Sequence, residues 1–114
     1  MERLKTFDLN IFSQIIQSSL EEFDFGAAHS CMEKLNHTWD MGTDYDGKEI
    51  CRVPTILEIE RKVRKRLTND FRKMVNSGLD SWFSSTGGYV LECYFSEDDG
   101  YWARIMYAPV ETLL

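Results

Sequence analysis

VPTILEIERKVRKRLTNDFRKMVNSG, running from Val53 to Gly78, decides the fold. Apolar side chains at Ile56, Ile59, Val63, Leu67, Phe71 and Met74 recur at spacings of three and four, the period of one helix face. Pro54 and Thr55 mark the start. Thr55 is placed to cap the helix, and Glu58, three residues on, completes a capping box. Gly78 marks the stop, because it takes the left-handed conformation that other residues resist. The opposite side bears Arg61, Lys62, Lys65, Arg66, Arg72 and Lys73. One long amphipathic helix is predicted, with an apolar face for the rest of the chain to cover and a basic face that needs its own explanation.

Upstream, Leu9, Phe12, Ile16, Leu20 and Phe23 form a second helical stripe between about Asp8 and Phe23. Asp24 then suits an N-cap for a shorter helix from about Phe25 to Asn36, with Phe25, Ala28, Met32 and Leu35 on its apolar side. Two short runs follow, His37–Met41 and Glu49–Val53. The polar stretch between them contains Asp46-Gly47, so they read as a hairpin.

Downstream, Leu79–Phe83 is read as a connector and Ser84–Gly88 as a turn. Tyr89–Phe95 and Tyr101–Tyr107 alternate apolar and outward residues, a strand pair closed by the loop Ser96–Gly100. A lone hairpin is marginal in water, so the long helix is expected to lie across it. The predicted architecture is a single α+β domain over residues 1–114, in the order α-α-β-β-α-β-β, with a small antiparallel sheet packed on helices.

Composition bounds the chemistry. An apolar share of 43% with 13% aromatics fits a folded domain of 114 residues with its own core. No apolar run approaches a membrane span, and MERLKTFDLNIF has no charged-then-apolar leader pattern, so a soluble protein of the cytoplasm is expected. Cys31, Cys51 and Cys93 are odd in number and far apart, without the close spacing of a zinc site or the even pairing of a disulfide framework. They read as free thiols packed as small hydrophobes.

Net charge is −6, unevenly spread. Residues 61–73 hold seven Lys or Arg and one Asp, a local balance of +6, and the remainder balances at −12. A basic strip on an acidic body argues against nonspecific nucleic-acid binding, since the body repels phosphates. It suits a protein partner or self-association, although a charge run of this kind also occurs as a merely solvated face.

The candidate sites are few. Asp44, Asp46 and Gly47 echo part of a calcium loop, but with Gly47 as the loop glycine the first and last ligand positions are Gly42 and Val53, where Asp and Glu are needed. Glu97-Asp98-Asp99 reads as a charged hairpin tip. His29 and His37 lie near Cys31 and Asp40 without a spacing that favours nucleophilic catalysis. Ser84-Ser85-Thr86-Gly87-Gly88 has the glycines of an anion-binding nest, yet lacks the Gly-Lys-Ser/Thr ending and following helix of a phosphate-binding loop. No catalytic residue, metal or cofactor is expected.

Three short motifs, His37-Thr38-Trp39, Val53-Pro54-Thr55 and Ser85-Thr86-Gly87-Gly88-Tyr89, carry a resemblance. Together they resemble a family of small uncharacterised proteins from bacteriophages and other mobile elements. In that family a Trp-rich strand precedes a Val-Pro turn and a long helix, and a Ser-Thr-Gly-Gly-aromatic turn opens the last hairpin. The likeness covers roughly the last two thirds of the chain. It departs from the family in having one Trp near position 39 where two are usual, a longer polar insert over 42–49, and a strongly basic helix.

The resemblance implies a phage or plasmid origin, hence a bacterial host cell, and transfers no functional residue. Small acidic proteins of such elements often bind and block a host machine, anti-CRISPR proteins among them. The expectation is therefore a non-enzymatic interaction protein that inhibits a host protein or nucleoprotein defence complex. Glu21, Glu22, Asp24, Asp44, Asp46, Glu97, Asp98 and Asp99 would face that complex's basic surface. One alternative is a nucleic-acid-binding accessory protein using Arg61, Lys62, Lys65, Arg66, Arg72 and Lys73. Another is a sponge for a nucleotide signal at the Ser85–Gly88 turn. A homo-oligomer is compatible with each, and no membrane partner is expected.

Overall fold

The computed structural model describes residues 2–43 and 45–109, without side-chain detail at 40–43, 49 and 50. In chain order come α1 (Leu9–Glu22), α2 (Phe25–Lys34), β1 (Trp39–Thr43), β2 (Glu49–Arg52), α3 (Ile56–Asn76), β3 (Ser81–Thr86), β4 (Tyr89–Ser96) and β5 (Gly100–Tyr107). The class is α+β as predicted, and the expected helices and both expected strand pairs are present. One element is additional: β3 occupies the stretch read as connector and turn. Among the described residues no helix is long and apolar enough to cross a membrane.

The helix ends follow from local chemistry. Asp8 caps α1 by accepting from the amides of Asn10 and Ile11, and Asp24 caps α2 by accepting from Ala27. Both halves of the Thr55–Glu58 capping box are formed at α3. Arg52 reinforces it, donating to Glu58 at 2.7 Å, and this guanidinium is the main cause that holds the Glu58 carboxyl below its ordinary range. Gly78, at φ 68, closes α3 in a Schellman motif. The Gly78 amide donates to the Val75 carbonyl at 3.1 Å and the Leu79 amide to Met74 at 2.9 Å. Asn36, at φ 54, ends α2 in the same way, with His37 donating to Met32 at 2.9 Å.

The three-stranded sheet has the order β3-β4-β5, antiparallel throughout, with Trp82 opposite Cys93 and Cys93 opposite Ala103. Gly87 and Gly88, both at positive φ, make the two-residue turn that matches strand twist, and Gly100 at φ 70 closes the β4–β5 loop. Helices α1 and α3 cover one face of this sheet. Phe12 of α1 meets Phe71 of α3 at 4.9 Å and Tyr101 of β5 at 5.0 Å, which ties the three elements together. At the other end of the sheet Tyr89 is enclosed by Phe23, Phe25, Trp39 and Tyr107, with ring centroids 4.9–6.0 Å away. The β1–β2 hairpin is a separate two-stranded sheet and contributes Trp39 to that cluster.

The buried face of α3 departs from the predicted stripe at three positions, one of them Val75, which is buried. Ile56 is 39% exposed and borders the open recess at the α1–α2 junction. Asp70, three residues after Leu67 and on the same side, is instead 2% exposed.

Candidate functional site

Of the seven cations of α3, Arg64 donates to Gln17 of α1 at 2.7 Å, and the other six fall into two rows. Lys62, Arg66 and Lys73, with Asn69 between them, follow the four-three-four spacing of the row nearest β3. Lys62 lies 5.2 Å above the Trp39 ring and Lys73 5.8 Å above Trp82, and Arg66 stands 3.9 Å from Asp70. Arg61, Lys65 and Arg72 form the next row outward, where Arg72 lies 4.8 Å over Phe7 and donates to Asn69 at 3.0 Å. Lys62, Lys65, Arg66, Asn69 and Thr86 together line a recess between α3 and the end of β3.

Beneath that recess Ser84 donates its hydroxyl to Asp70 at 2.5 Å, joining the helix to the strand. Burial pushes the Asp70 carboxyl above its ordinary range, against the opposing pull of Ser84, Arg66 and Lys73. Burial, with a smaller contribution from Asp70, pushes the neighbouring Cys93 thiol far upward, which makes it a packing group and a poor nucleophile. Cys31 is half-buried and Cys51 exposed, both as free thiols.

Among the described residues no helix lies on the second face of the sheet. Alternation puts Ser81, Phe83 and Ser85 of β3, Val90, Glu92 and Tyr94 of β4, and Trp102, Arg104 and Met106 of β5 on this side. Phe83, Tyr94 and Trp102 make an aromatic row across all three strands. Trp102 stacks on Tyr94 at 4.4 Å, and Phe83 meets Tyr94 edge-on at 5.7 Å. Phe83 is 60% exposed and Trp102 38%. Tyr94 donates its hydroxyl to Glu92, and that bond is the main reason its own proton is held more tightly than usual.

The acidic residues singled out from the sequence are dispersed. Glu21, Glu22 and Asp24 gather at the α1–α2 junction, where Glu60 joins them around a shallow recess. Glu97, Asp98 and Asp99 occupy the β4–β5 loop at the other end of the sheet, beyond Ser96 and Gly100. Helix α1 has 14 residues and spans about 20 Å at 1.5 Å per residue, so one acidic patch does not form. Asp46 sits in the β1–β2 turn and Asp44 lies outside the described residues. Near Glu97, Arg3 pairs with Asp80 and donates to the carbonyls of Gly78 and Leu79 at 3.0 and 3.2 Å, which ties the N-terminal segment to the exit of α3.

The Ser84–Gly88 stretch is mostly strand, with only Gly87 and Gly88 in the turn. A Cβ on Gly87 would lie 2.7 Å from the Trp39 ring, so the indole covers the turn where an anion was considered. His29 Nε2–H donates to the Pro54 carbonyl at 2.8 Å, and His37 Nδ1 meets the Tyr107 hydroxyl at 2.7 Å. Among the described residues no group of three His, Cys, Asp or Glu is placed to hold a metal ion.

Tyr94 and Trp102 were legible as outward residues from strand alternation alone; Phe83 was not, because its strand was read as a connector. No protein family, curated protein or solved structure matches this chain, so its class rests on its own geometry.

Proposed function

We propose that this chain is a non-enzymatic interaction protein that docks a protein partner on the open face of its three-stranded sheet. The observation that supports this most is the row Phe83–Tyr94–Trp102, in which two large aromatics stay exposed on a face that no helix covers among the described residues. Aromatic anchors of this kind lose little side-chain entropy on docking and concentrate binding energy. Glu92 and Arg104, opposite each other beside the row, supply polar groups that fix orientation.

Inhibition of a host defence complex is the specific form of this proposal, with the net charge of −6 favouring a partner of basic surface. The acidic contribution then comes chiefly from the Glu21, Glu22, Asp24 and Glu60 group. Direct nucleic-acid binding is the weaker reading. Trp39 and Trp82 beside the basic rows are tucked under Lys62 and Lys73, Trp39 with 8% of its surface exposed, which leaves little ring face for a base.

The test compares affinity capture from bacterial lysate by the native chain and by Trp102→Ser, with circular dichroism to verify folding. A discrete protein retained by the native chain and lost with the variant is the expected result. Equal retention by both rejects the sheet face as the docking surface.

A further inference from the structure

The geometry points to a second recognition device, at the outer edge of β3: a site for an extended acidic segment of a partner protein, added as a fourth strand. It rests on the reading of the chain as a protein-binding module and specifies the partner's chemistry.

The edge is open and its register is fixed. The Gly87-Gly88 turn makes Thr86 and Tyr89 a hydrogen-bonded pair, and in an antiparallel ladder such pairs alternate. Trp82, Ser84 and Thr86 therefore spend their amides and carbonyls on β4. Ser81, Phe83 and Ser85 direct theirs the other way. Among the described residues no strand pairs with that side, because the sheet order places β3 at the border and β1–β2 forms a sheet of its own. Such an edge is a ready template for another chain.

The flank of α3 selects the incoming chain. A strand laid along Ser81–Thr86 alternates its side chains, as every strand does. One set turns to the helix side, under Lys62, Lys65, Arg66 and Asn69 around the recess at Thr86 and under Lys73 at Trp82. The other set turns to the open face and adjoins Phe83, which is 60% exposed. The complementary sequence alternates carboxylates with apolar residues over about six positions, the length of β3. A second copy of this chain is a poor occupant, since pairing β3 with β3 around a two-fold axis brings the basic rows of two α3 helices together. A nucleic acid gains no base stacking along this edge, where the Trp39 and Trp82 rings lie under Lys62 and Lys73.

The probes are an acetylated eight-residue peptide alternating Glu and Val, its Lys–Val counterpart, and a single-stranded oligonucleotide, each titrated at low salt into the 15N-labelled chain. The expected result is binding of the Glu–Val peptide alone, with slowed hydrogen exchange at the amides of Ser81, Phe83 and Ser85. The double variant Lys65→Glu/Arg66→Glu should weaken it at least tenfold. Ser85→Pro should do the same, because that amide faces outward and its loss leaves the β3–β4 ladder intact.

Peptide binding without protection of those three amides overturns the site, as does equal binding of both peptides or preferential binding of the oligonucleotide. Protection of the same amides in the free chain, rising with concentration alongside dimerisation, assigns the edge to self-association and also overturns it. Trp102→Ser, two strands away on β5, separates the two proposals: loss of the captured partner there with no peptide bound at β3 removes this inference and leaves the open-face reading standing.

Discussion

Replacing Asp70 by Asn and by Ala separates the two things this carboxylate does inside the fold. It accepts the Ser84 hydroxyl at 2.5 Å, and it holds a charge where only 2% of the residue meets solvent. Asp70→Ala removes both and leaves the Ser84 hydroxyl without its acceptor. A lost bond to a charged group together with an orphaned partner costs about 2 kcal/mol. For a domain of 114 residues this lowers Tm by roughly 8 °C, at about 4 °C per kcal/mol. Asp70→Asn keeps a carbonyl oxygen for Ser84 and removes the buried charge.

Because burial outweighs Ser84, Arg66 and Lys73 and raises this carboxyl's pKa, the folded chain holds the proton more tightly than the unfolded chain. The stabilising contribution of the protonated acid is complete below the ordinary carboxyl pKa of about 4 and is lost as pH rises through the raised folded value. At pH 7 the native chain therefore stands at or below Asp70→Asn in stability, and the gap closes on acidification. Urea unfolding of the three proteins at pH 7 and at successively lower pH measures it. If Asp70→Asn is as damaging as Asp70→Ala at pH 7, the attraction of Arg66 and Lys73 outweighs burial, and the reasoning fails.

Three further outcomes are expected. Tyr89→Phe stabilises the chain by about 1 kcal/mol in the same urea assay, because the Tyr89 hydroxyl is buried without a hydrogen-bond partner among the described residues and its desolvation is uncompensated; a loss of stability would reveal an acceptor at that site. Gly87→Ala destabilises by roughly 1–3 kcal/mol, since φ is +55° there and the new Cβ meets the Trp39 ring, and a change in tryptophan emission accompanies it. Thr55→Ala lowers thermal stability by about 1 kcal/mol through loss of the cap on the Glu58 amide, and Thr55→Ser recovers most of it.

What the sequence made legible was local. Capping at Thr55 and Asp24, the left-handed exit at Gly78, and alternation along Tyr89–Phe95 and Tyr101–Tyr107 are each written in adjacent residues. The misreadings involve contacts that only the assembled fold supplies. Ser81, Ser84 and Ser85 give β3 the composition of a loop, and it becomes a strand by pairing with β4 and by the bond from Ser84 to Asp70. Asp70 looked like one more surface charge within a basic run, yet its spacing from Leu67 places it on the buried side. The acidic residues looked like one feature because several are neighbours in sequence. The turn at Asp24 and the β4–β5 loop carry them to opposite ends of the molecule. Phe83, the most exposed member of the aromatic row, was hidden by the misread strand.

Site-specific photo-crosslinking inside bacterial cells tests the docking face most directly. A benzophenone-bearing residue in place of Trp102 samples the open sheet face, and the same residue in place of Ser13, exposed on α1, samples the helical side. A discrete adduct with one protein species from position 102 and none from position 13 is the expected result. No adduct from position 102, or the same adducts from both positions, would contradict a partner seated on the Phe83–Tyr94–Trp102 row.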